Sequence, residues 1–593
     1  MPSTTSTRRR AALALLPVLA LAATLLPASP AAAKKDDLRP IVSGWLPYWS
    51  TSESVRAMTE NKDLLAEVSP FWYTVRWSSG SGSSIGTSVS SANKATTKSA
   101  AAAAGIKLWP SFTDSMPARR LAKVMSESGT RTKLVKQMVR LAVDEGYAGL
   151  DLDFEKFAFS DGSSTWSSTQ RAWVKFVRDL GNALHAKGKE LAATTPPMCN
   201  VAGVCGTKGG YWVYDWAGIA PYIDRLRIMA YDYSWTVPGP IGPYPWAEKI
   251  VQFAITQVPA GKVQLGVPTY GRDWVRRTSS GALKIKGSCP VNNRPDLDRH
   301  TFDSVSAPTI LANRGLTKAD VRWSDQYKES WYRWKKTYSG KNSKGKKTTC
   351  KVYREGWYGD SRAVAARAGL VGKYQIAGIA AWTIGREDPA QWGLLREVAR
   401  GLAPVKPVVK VAAPSTVDYG ASARVSVTAS AQGVPVAGTS VKLQWRGRDD
   451  SSWRAVATGK TDADGYATWQ STIRGAGTFR VVVPKSYARE QATGSAAVRV
   501  RPTLVPADRR PVVPRGTKVR LKAKLTPDTG QRVVLQRRAH GTFERVAVAT
   551  VGRAGNAHLK LRMTRDHGAY RFKAKSSAVA AKSYSAIIKV RTT

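Results

Sequence analysis

Histidine is scarce in this sequence, and its scarcity excludes a large class of hydrolases. Zinc enzymes hold their metal with clustered histidine, cysteine and carboxylate side chains. Here the five histidines are scattered along 593 residues: His185, His300, His540, His558 and His567. We therefore expect no metal site, and nothing in the sequence implies another cofactor.

Cysteine is also rare, with four residues and no Cys-x-x-Cys pair. A small, even number of cysteines is typical of a protein that folds in an oxidising compartment. Four cysteines allow three pairings. We expect Cys199 to pair with Cys205, which closes a small loop, and Cys289 to pair with Cys350 across a longer one.

Acidic residues are few relative to basic ones. Asp and Glu number 42 against 91 Lys and Arg, which gives a net charge of +49. The imbalance is strongest in residues 501–593, with 22 Lys and Arg against 4 Asp and Glu. Such a surface attracts polyanions, which outside a cell are anionic cell-wall polymers or extracellular nucleic acid, although it could serve solubility alone. No nucleic-acid motif accompanies the basic residues, so a DNA-binding protein is not predicted.

Long apolar runs are absent except near the N-terminus. Arg8, Arg9 and Arg10 precede an apolar run over 11–26, and small residues end at Ala33. This order is typical of a secretory signal peptide over 1–33, and the paired arginines leave a twin-arginine route open. A transmembrane anchor is the weaker interpretation because the run is short and prolines interrupt it. We expect a secreted protein, extracellular or associated with the cell wall, that has no transmembrane segment after signal removal.

The stretch 146–155 has the pattern of a strand with one acidic side. Helix-like runs at 130–145 and 167–187 flank it, and in such units the chemistry lies at the carboxyl end of the strand, here at Glu155. An ordinary amphipathic strand with its acids in water is the alternative, but the other side is bulky enough to pack beneath helices. With a two-residue period, Asp151, Asp153 and Glu155 share one side, and Leu150, Leu152 and Phe154 share the other.

The same run resembles the signature strand of family 18 glycoside hydrolases (chitinases and their relatives), Asp-x-x-Asp-x-Asp-x-Glu. Asp151, Asp153 and Glu155 match its last three acids, whereas Ala148 stands at the position of the first. The resemblance covers about residues 40–400. The missing acid puts the tuning of the pKa values in doubt more than the acid itself, so we expect activity to be retained with a shifted pH optimum.

Eight strand-like segments alternate with helical patterns and predict an α/β fold, a (β/α)8 TIM barrel at 34–403. An insertion at about 275–358 follows the seventh strand. It resembles the α+β insertion that forms one wall of the substrate groove in many family 18 enzymes; a surface loop pinned by a disulfide is the alternative. The segments are 41–49, 67–75, 106–112, 146–155, 190–196, 225–232, 263–271 and 376–382.

Beyond a Pro/Val/Lys linker at 403–411, the sequence changes to short alternating strands and repeats itself. Residues 442–446 correspond to 534–538, and 477–480 correspond to 568–571. We predict two all-β immunoglobulin-like sandwich domains at 404–500 and 501–593. They attach the protein to a wall or polysaccharide, or they act as spacers.

The spacing of the acids fits one scheme of glycoside cleavage. Asp153 and Glu155 are two residues apart, about 7 Å between Cα atoms, which is too close to flank a sugar. That spacing suits the scheme in which the acetamido oxygen of the substrate is the nucleophile. Glu155 is then the general acid, with a pKa raised by the neighbouring carboxylate; Asp153 orients the acetamido group, and Asp151 tunes Asp153.

The resemblance implies further site residues. Residues 229–232 look like the family's Met-x-Tyr-Asp, in which the tyrosine donates its hydroxyl to the acetamido oxygen, so Tyr231 joins the catalytic group. Trp382 matches the tryptophan beneath the sugar ring, and 265–272 looks like the family's seventh strand. The expected substrate-binding residues are Asp232, Met229, Trp382, Tyr270, Arg272 and Tyr48.

These patterns predict a secreted, monomeric, chitinase-like glycosidase that cleaves β-1,4-linked N-acetylglucosamine polymers with retention. Chitin and peptidoglycan glycan are both candidate substrates, since residues 69–73 and the Asp-Phe-Glu ending look like the branch associated with bacterial cell walls. A non-catalytic, lectin-like binding protein that uses the same groove is the alternative. A purely structural wall protein leaves the acidic strand unexplained. Endo or exo action stays open.

Overall fold

The computed structural model describes residues 38–564 and 567–593. The predicted signal peptide over 1–33 lies outside these residues. None of the helices in the described ranges is long and apolar enough to cross a membrane. The described chain comprises a barrel, a lobe inserted into it and two C-terminal β modules.

Eight parallel strands close into a barrel, as the sequence predicts. Each strand is hydrogen-bonded to the next, and the first pairs with both the second and the eighth. Two short strands, Gly82–Thr87 and Lys107–Leu108, pair with the second. The barrel strands are β1 Val42–Pro47, β2 Glu67–Ser78, β3 Ser111–Asp114, β4 Gly149–Asp153, β5 Glu190–Thr195, β6 Arg225–Ile228, β7 Val263–Pro268 and β8 Gly378–Trp382.

Helices cover the outside of the barrel, and one of them shows recognisable signals at both ends. In the helix Ser91–Ala104, the side chain of Ser90 accepts a hydrogen bond from the Asn93 backbone at one end. At the other end Gly105 adopts a left-handed φ of 70°. The main helices are Thr51–Glu60, Ser91–Ala104, Arg120–Ser126, Ser128–Asp144, Trp166–His185, Tyr244–Gln257, Ser361–Tyr374 and Gln391–Gly401, and the single turns are Lys156–Phe159 and Trp216–Ile219.

Strand β4 has the two faces that its sequence predicts. Leu150, Leu152 and Phe154 are completely buried beneath the helices. The Phe154 ring stacks on Phe176 of the helix Trp166–His185, with 5.8 Å between ring centroids. The acids of β4 lie on the opposite side, inside the barrel.

Several predicted strands differ from those observed. The sixth, predicted at 225–232, ends at Ile228, so Met229, Tyr231 and Asp232 follow the strand. The third is interrupted because Pro110 has no backbone N–H to donate, so it divides into Lys107–Leu108 and β3. The fourth ends at Asp153, and Glu155 follows with φ −110° and ψ −31°. The seventh divides after Pro268, and its second half, Tyr270–Val275, pairs antiparallel with strands of the inserted lobe instead of the barrel.

The inserted lobe is an antiparallel sheet with one short helix. Cys289 is bonded to Cys350, as the sequence predicts, and a buried ion pair joins Arg354 Nε to Asp273 Oδ1 at 2.5 Å. The lobe therefore fixes the strand that carries Tyr270 and Arg272. Its strands are Tyr270–Val275, Ile285–Gly287, His300–Asp303, Arg322–Ser324, Glu329–Lys341 and Lys347–Tyr358, and its helix is Ala307–Ala312.

The C-terminal residues form two all-β modules, each with two sheets around a core of its own. That these sandwiches are of the immunoglobulin type stays a prediction. In the first module the strands are Val408–Ala412, Thr416–Asp418, Ser422–Ala431, Val434–Pro435, Ser440–Gly447, Arg454–Lys460, Tyr466–Thr472, Gly477–Val483 and Ala492–Arg501. In the second they are Thr503–Pro506, Val512–Val513, Lys518–Thr526, Val533–Ala539, Thr542–Val548, Thr550–Gly552, Asn556–Arg562, His567–Ala574, Ser583–Tyr584 and Ile588–Thr592.

Candidate active site

Asp151 is the deepest of the three acids, and it is completely buried inside the barrel. Its Oδ2 accepts hydrogen bonds from Trp45 Nε1 at 3.0 Å and Ser111 Oγ at 2.8 Å. Its Oδ1 accepts from Thr194 Oγ1 at 2.7 Å. Arg227 Nη1 lies 3.2 Å from Oδ2 in an ion pair. Strands β1, β3, β5 and β6 thus each supply one partner for this carboxylate.

Asp153 lies two residues farther along β4 and has a very different environment. It is 3% exposed, and its Oδ1 accepts no hydrogen bond from the described residues. Burial raises the pKa of this carboxyl well above its usual range, and the charges of Glu155, Asp151 and Asp114 raise it further. Asp153 therefore holds a proton to a higher pH than an ordinary aspartate does.

Glu155 stands at the mouth of the barrel, immediately after β4. Burial raises its pKa to about 7 from an ordinary value of 4.5, with further contributions from the charges of Asp114 and Asp232. Asp114 ends β3, and its Oδ1 accepts hydrogen bonds from the backbone N–H groups of Glu155 and Lys156 at 3.1 and 3.0 Å. Asp114 thus holds the glutamate in place and also raises its pKa.

Four predicted residues meet beside the acids. Tyr231 follows β6, and its burial raises the pKa of its hydroxyl well above the usual range, so the hydroxyl stays a donor. Asp232 accepts a hydrogen bond from the Tyr270 hydroxyl and pairs with Arg272 Nη1 at 2.6 Å. The inserted lobe therefore supplies two side chains that fix Asp232.

A cavity of about 380 Å³ opens above Asp153 and Glu155. Its aromatic lining is built around Trp382, whose ring lies 5.6 Å from that of Trp45 and 5.1 Å from that of Phe71, both edge to face. Such rings give an apolar surface for the CH groups of a sugar. Other lining residues are Trp49, Thr194, Met229, Tyr231, Asp232, Tyr270, Arg272, Thr301, Asp303 and Thr383.

A second cavity of about 730 Å³ adjoins the first and shares four residues with it: Glu155, Met229, Tyr231 and Asp232. It is more apolar, and the disulfide between Cys199 and Cys205 pins one of its walls. Other lining residues are Phe159, Pro196, Pro197, Asn200, Val201, Gly210, Tyr211, Tyr233, Trp235 and Trp246. Glu155 therefore lies where the two cavities meet.

Almost every site residue predicted from the sequence lies at this place. Tyr48 is the exception, because it lies on the rim against Trp49, with 4.9 Å between ring centroids, and Trp49 lines the first cavity instead. The aromatic residues that the sequence reasoning missed include Trp49 and Trp235, which are 53% and 50% exposed on the two sides of Glu155. The sequence offered one signal for them, since both tryptophans come within a few residues of the end of a barrel strand.

Two charged residues were also missed. Asp114 was visible as an acid at the carboxyl end of the third strand. Arg227 was visible as an arginine two residues before Met229, at an inward position of β6. The expected cause of the raised pKa of Glu155 was also incomplete: burial comes first, and the charges of Asp114 and Asp232 add to it.

The arrangement can donate one proton to an oxygen that bridges the two cavities. Glu155 is the group placed for this transfer, since its pKa is close to neutrality. Asp153 and the Tyr231 hydroxyl line the same cavity as Glu155, where they can contact a substituent of a sugar ring. These features suit acid-catalysed cleavage of a chain of sugars.

Two Bacillus subtilis proteins have sequences similar to part of this chain. A Bacillus subtilis protein whose name describes it as a sporulation-specific glycosylase is 27% identical over 281 residues, which is 46% of this chain and 56% of that protein. The cortical fragment-lytic enzyme of Bacillus subtilis is 20% identical over 278 residues, or 46% of this chain and 55% of that protein. The chain thus spans about half the length of these two relatives.

The chain is also similar to a solved structure and matches a family model. The chitinase of Chromobacterium violaceum superposes with a TM-score of 0.47 and 21% identity, over 60% of this chain and 98% of that one. The model described as glycosyl hydrolases family 18 matches residues 50–387, which is more than half of the chain. With eight strands closed into a barrel and the acids at the end of the fourth, the chain belongs to the glycosyl hydrolases of family 18.

Proposed function

We propose that this glycosidase is a secreted enzyme that cleaves β-1,4-linked N-acetylglucosamine polymers with retention, by a substrate-assisted mechanism. The observation that carries the proposal is the position of Glu155, half-buried where two cavities meet and with a pKa of about 7. Secretion rests on the signal pattern over 1–33, and we propose the limits 34–403, 404–500 and 501–593 for the three domains.

In the first step Glu155 donates its proton to the glycosidic oxygen, and the bond from that oxygen to the anomeric carbon breaks. The acetamido oxygen of the same sugar forms the new bond to the anomeric carbon, which gives a cyclic oxazolinium ion. Asp153 is ionised while Glu155 carries the proton; it accepts a hydrogen bond from the acetamido N–H, and its negative charge stabilises the positive charge of the oxazolinium ion. Tyr231 donates its hydroxyl to the acetamido group and holds it in position.

In the second step the Glu155 carboxylate takes a proton from water, and the water oxygen attacks the anomeric carbon. The oxazolinium ring opens to restore the acetamido group, and Glu155 regains its proton. Because the anomeric carbon is attacked twice from opposite faces, its configuration is retained. Trp382 forms the floor beneath the reacting sugar, and Asp232 binds it while Tyr270 and Arg272 hold Asp232.

The test is hydrolysis of N-acetylglucosamine oligomers and of purified peptidoglycan, measured as released reducing ends. We expect Glu155→Gln to lower kcat at least about a hundredfold, the usual minimum contribution of a general acid. Glu190→Gln is the matched control, since Glu190 begins β5 and pairs with Lys107 at the opposite end of the barrel. Full activity of Glu155→Gln on both polymers would contradict the proposal.

The same assay decides the alternative of a lectin-like protein. A lectin would bind the oligomers without releasing reducing ends, and Glu155→Gln would then leave binding unchanged. Comparison of the two polymers identifies the substrate. A single species of the mature protein in sedimentation would support the monomer that we propose.

We also propose that the second β module binds an anionic polymer through one sheet face, the basic face. In the strand Lys518–Thr526, the buried side chains alternate with exposed basic ones. On the neighbouring strand Lys560 stands opposite Arg520, and Arg562 opposite Lys518. Like charges directly opposite each other destabilise a sheet, so an anionic ligand bound to this face would relieve the repulsion between them. The exposed basic residues of the first strand are Lys518, Arg520, Lys522 and Lys524.

A phosphodiester polymer without bases fits this face best. The described strands Thr503–Pro506, Lys518–Thr526 and Asn556–Arg562 contain no Phe, Tyr or Trp on which a nucleobase could stack, and their one imidazole is His558, opposite Lys522. The probe is poly(glycerol phosphate), with single-stranded DNA as the second arm. The test variant combines Lys518→Ser, Arg520→Ser and Lys522→Ser. We expect it to lower the slope of log K against log salt concentration for poly(glycerol phosphate) by about 2–3. The control variant combines Lys573→Ser, Lys589→Ser and Arg591→Ser. An equal decrease of the slope in the control would show that the polymer is attracted by net charge alone.

A further inference from the structure

The interior of the barrel below the acids is polar, and this is unusual. Barrels of this type are normally filled with layers of branched aliphatic side chains. Here Glu67 is 3% exposed, Gln264 is 4% exposed and Arg227 is completely buried. Arg225 Nε lies 2.8 Å from Glu67 Oε1 at the lower end, and Gln264 Nε2 donates to the same oxygen at 3.1 Å. A column of alternating charge therefore leads from the base of the barrel towards Asp151.

Arg227 is the member of this column that touches the acids. Its Nη1 pairs with Asp151 Oδ2 at 3.2 Å and also donates to the Ser69 hydroxyl. Its Nε donates to Gln264 at 2.9 Å, and its Nη2 donates to Ser43 at 3.2 Å. Among the described residues, Arg227 is the one cation paired with Asp151. A buried carboxylate without such a partner is costly and takes up a proton instead.

We propose that Arg227 is a positioning residue of the reaction: its ion pair holds the Asp151 side chain beside Asp153, and its positive charge acts on Asp153 and Glu155, the two acids that share the proton of the site. The proposal rests on the proposed function. Asp153 and Glu155 line the cavity for the substrate, so a change in the charge of Arg227 should show in the pH dependence of the reaction.

The other charged and titratable groups that act on these acids are known, so the sign of the effect can be worked out. Removal of a cation makes nearby acids bind a proton more tightly. The site then takes up an extra proton at a higher pH, and the acid limb of kcat/KM moves upward. Asp153 is acted on by Glu155, Asp151 and Asp114, and Glu155 is acted on by Asp114 and Asp232. The tyrosines that Asp153 or Glu155 acts on are Tyr211, Tyr214 and Tyr231.

The experiment measures kcat/KM against pH on a soluble N-acetylglucosamine oligomer. We expect Arg227→Met to move the acid limb up by about 1–3 pH units, the usual effect of an opposite charge at this distance. Arg227→Lys keeps the charge and should restore most of the wild-type limb. Arg225→Met is the matched control, because this arginine lies on the same strand and pairs with Glu67, as Arg227 also does at 3.8 Å, but does not pair with Asp151. Its acid limb should stay in place.

Folding and the proposed function are checked separately. Circular dichroism and thermal unfolding establish that each variant is folded; if Arg227→Met does not fold, Arg227→Gln carries the same test because it also removes the charge. A folded neutral variant that keeps the wild-type limbs, with only kcat or Tm lowered, would overturn the inference. Glu155→Gln is measured alongside to separate the two failures. If Glu155→Gln keeps full activity, the proposed function fails. If Glu155→Gln is inactive but the limbs of the neutral Arg227 variant stay where they are in the wild type, only the role of Arg227 fails.

Discussion

Glu155 should make the protein less stable at alkaline pH, and the structure gives the size of this effect. Its carboxyl ionises near 4.5 in the unfolded chain but near 7 in the folded protein. Between these values the folded protein binds more protons than the unfolded chain, so stability falls as pH rises through this window and stays low above it. A shift of about 2.5 pKa units corresponds to roughly 3 kcal/mol. Glu155→Gln removes the charge and should recover this energy.

The measurement is urea unfolding of the wild type and of Glu155→Gln, followed by tryptophan fluorescence at pH 4 and at pH 8. At pH 4 the two proteins should be nearly equally stable, since the glutamate is protonated in both states. At pH 8 the variant should be more stable by about 3 kcal/mol, or roughly 5 °C in Tm for a domain of this size. If the variant gains nothing between these pH values, the burial of an unpaired carboxyl at the mouth of the barrel is refuted.

Three further predictions concern neighbouring residues. Asp114→Asn keeps an acceptor for the backbone N–H groups but removes a charge that raises the pKa of Glu155, so the alkaline limb of kcat/KM should move down by about 1 pH unit; an upward shift would contradict this. Trp382→Ala removes the floor of the first cavity and should lower kcat/KM about 10–100-fold on oligomers, equivalent to about 1.5–3 kcal/mol of lost contact. Arg354→Met leaves Asp273 without its closest cation and should destabilise the inserted lobe by about 3–5 kcal/mol in urea unfolding. A change below about 1 kcal/mol would mean that Arg314 alone compensates the charge of Asp273.

The barrel and its acids could be predicted because local patterns determine them. A period of two places Asp151 and Asp153 opposite Leu150 and Leu152, and only a strand buried on both sides satisfies both sets. Eight such strands, separated by helical patterns, allow few topologies. The predicted disulfides between Cys199 and Cys205 and between Cys289 and Cys350 also form.

The electrostatics of the site could not be predicted in the same way, because they depend on strands far apart in the chain. Asp114 is 41 residues from Glu155, and only the register between β3 and β4 brings them together. Arg227 reaches Asp151 across the interior of the barrel from β6. Tyr270 and Arg272 were expected on a barrel strand but lie on the first strand of the lobe, because the chain leaves the barrel after Pro268. Long-range pairing of this kind leaves no periodic signal in the sequence.

The stereochemistry of the first product tests the central claim most directly. Proton NMR of a freshly mixed reaction should show the β-anomer of the N-acetylglucosamine oligomer before mutarotation, and an oligomer without the N-acetyl group at the cleaved sugar should not be hydrolysed. Release of the α-anomer, or equal cleavage of the oligomer that lacks the acetyl group, would contradict a mechanism in which Glu155 protonates the leaving oxygen and the substrate supplies its own nucleophile.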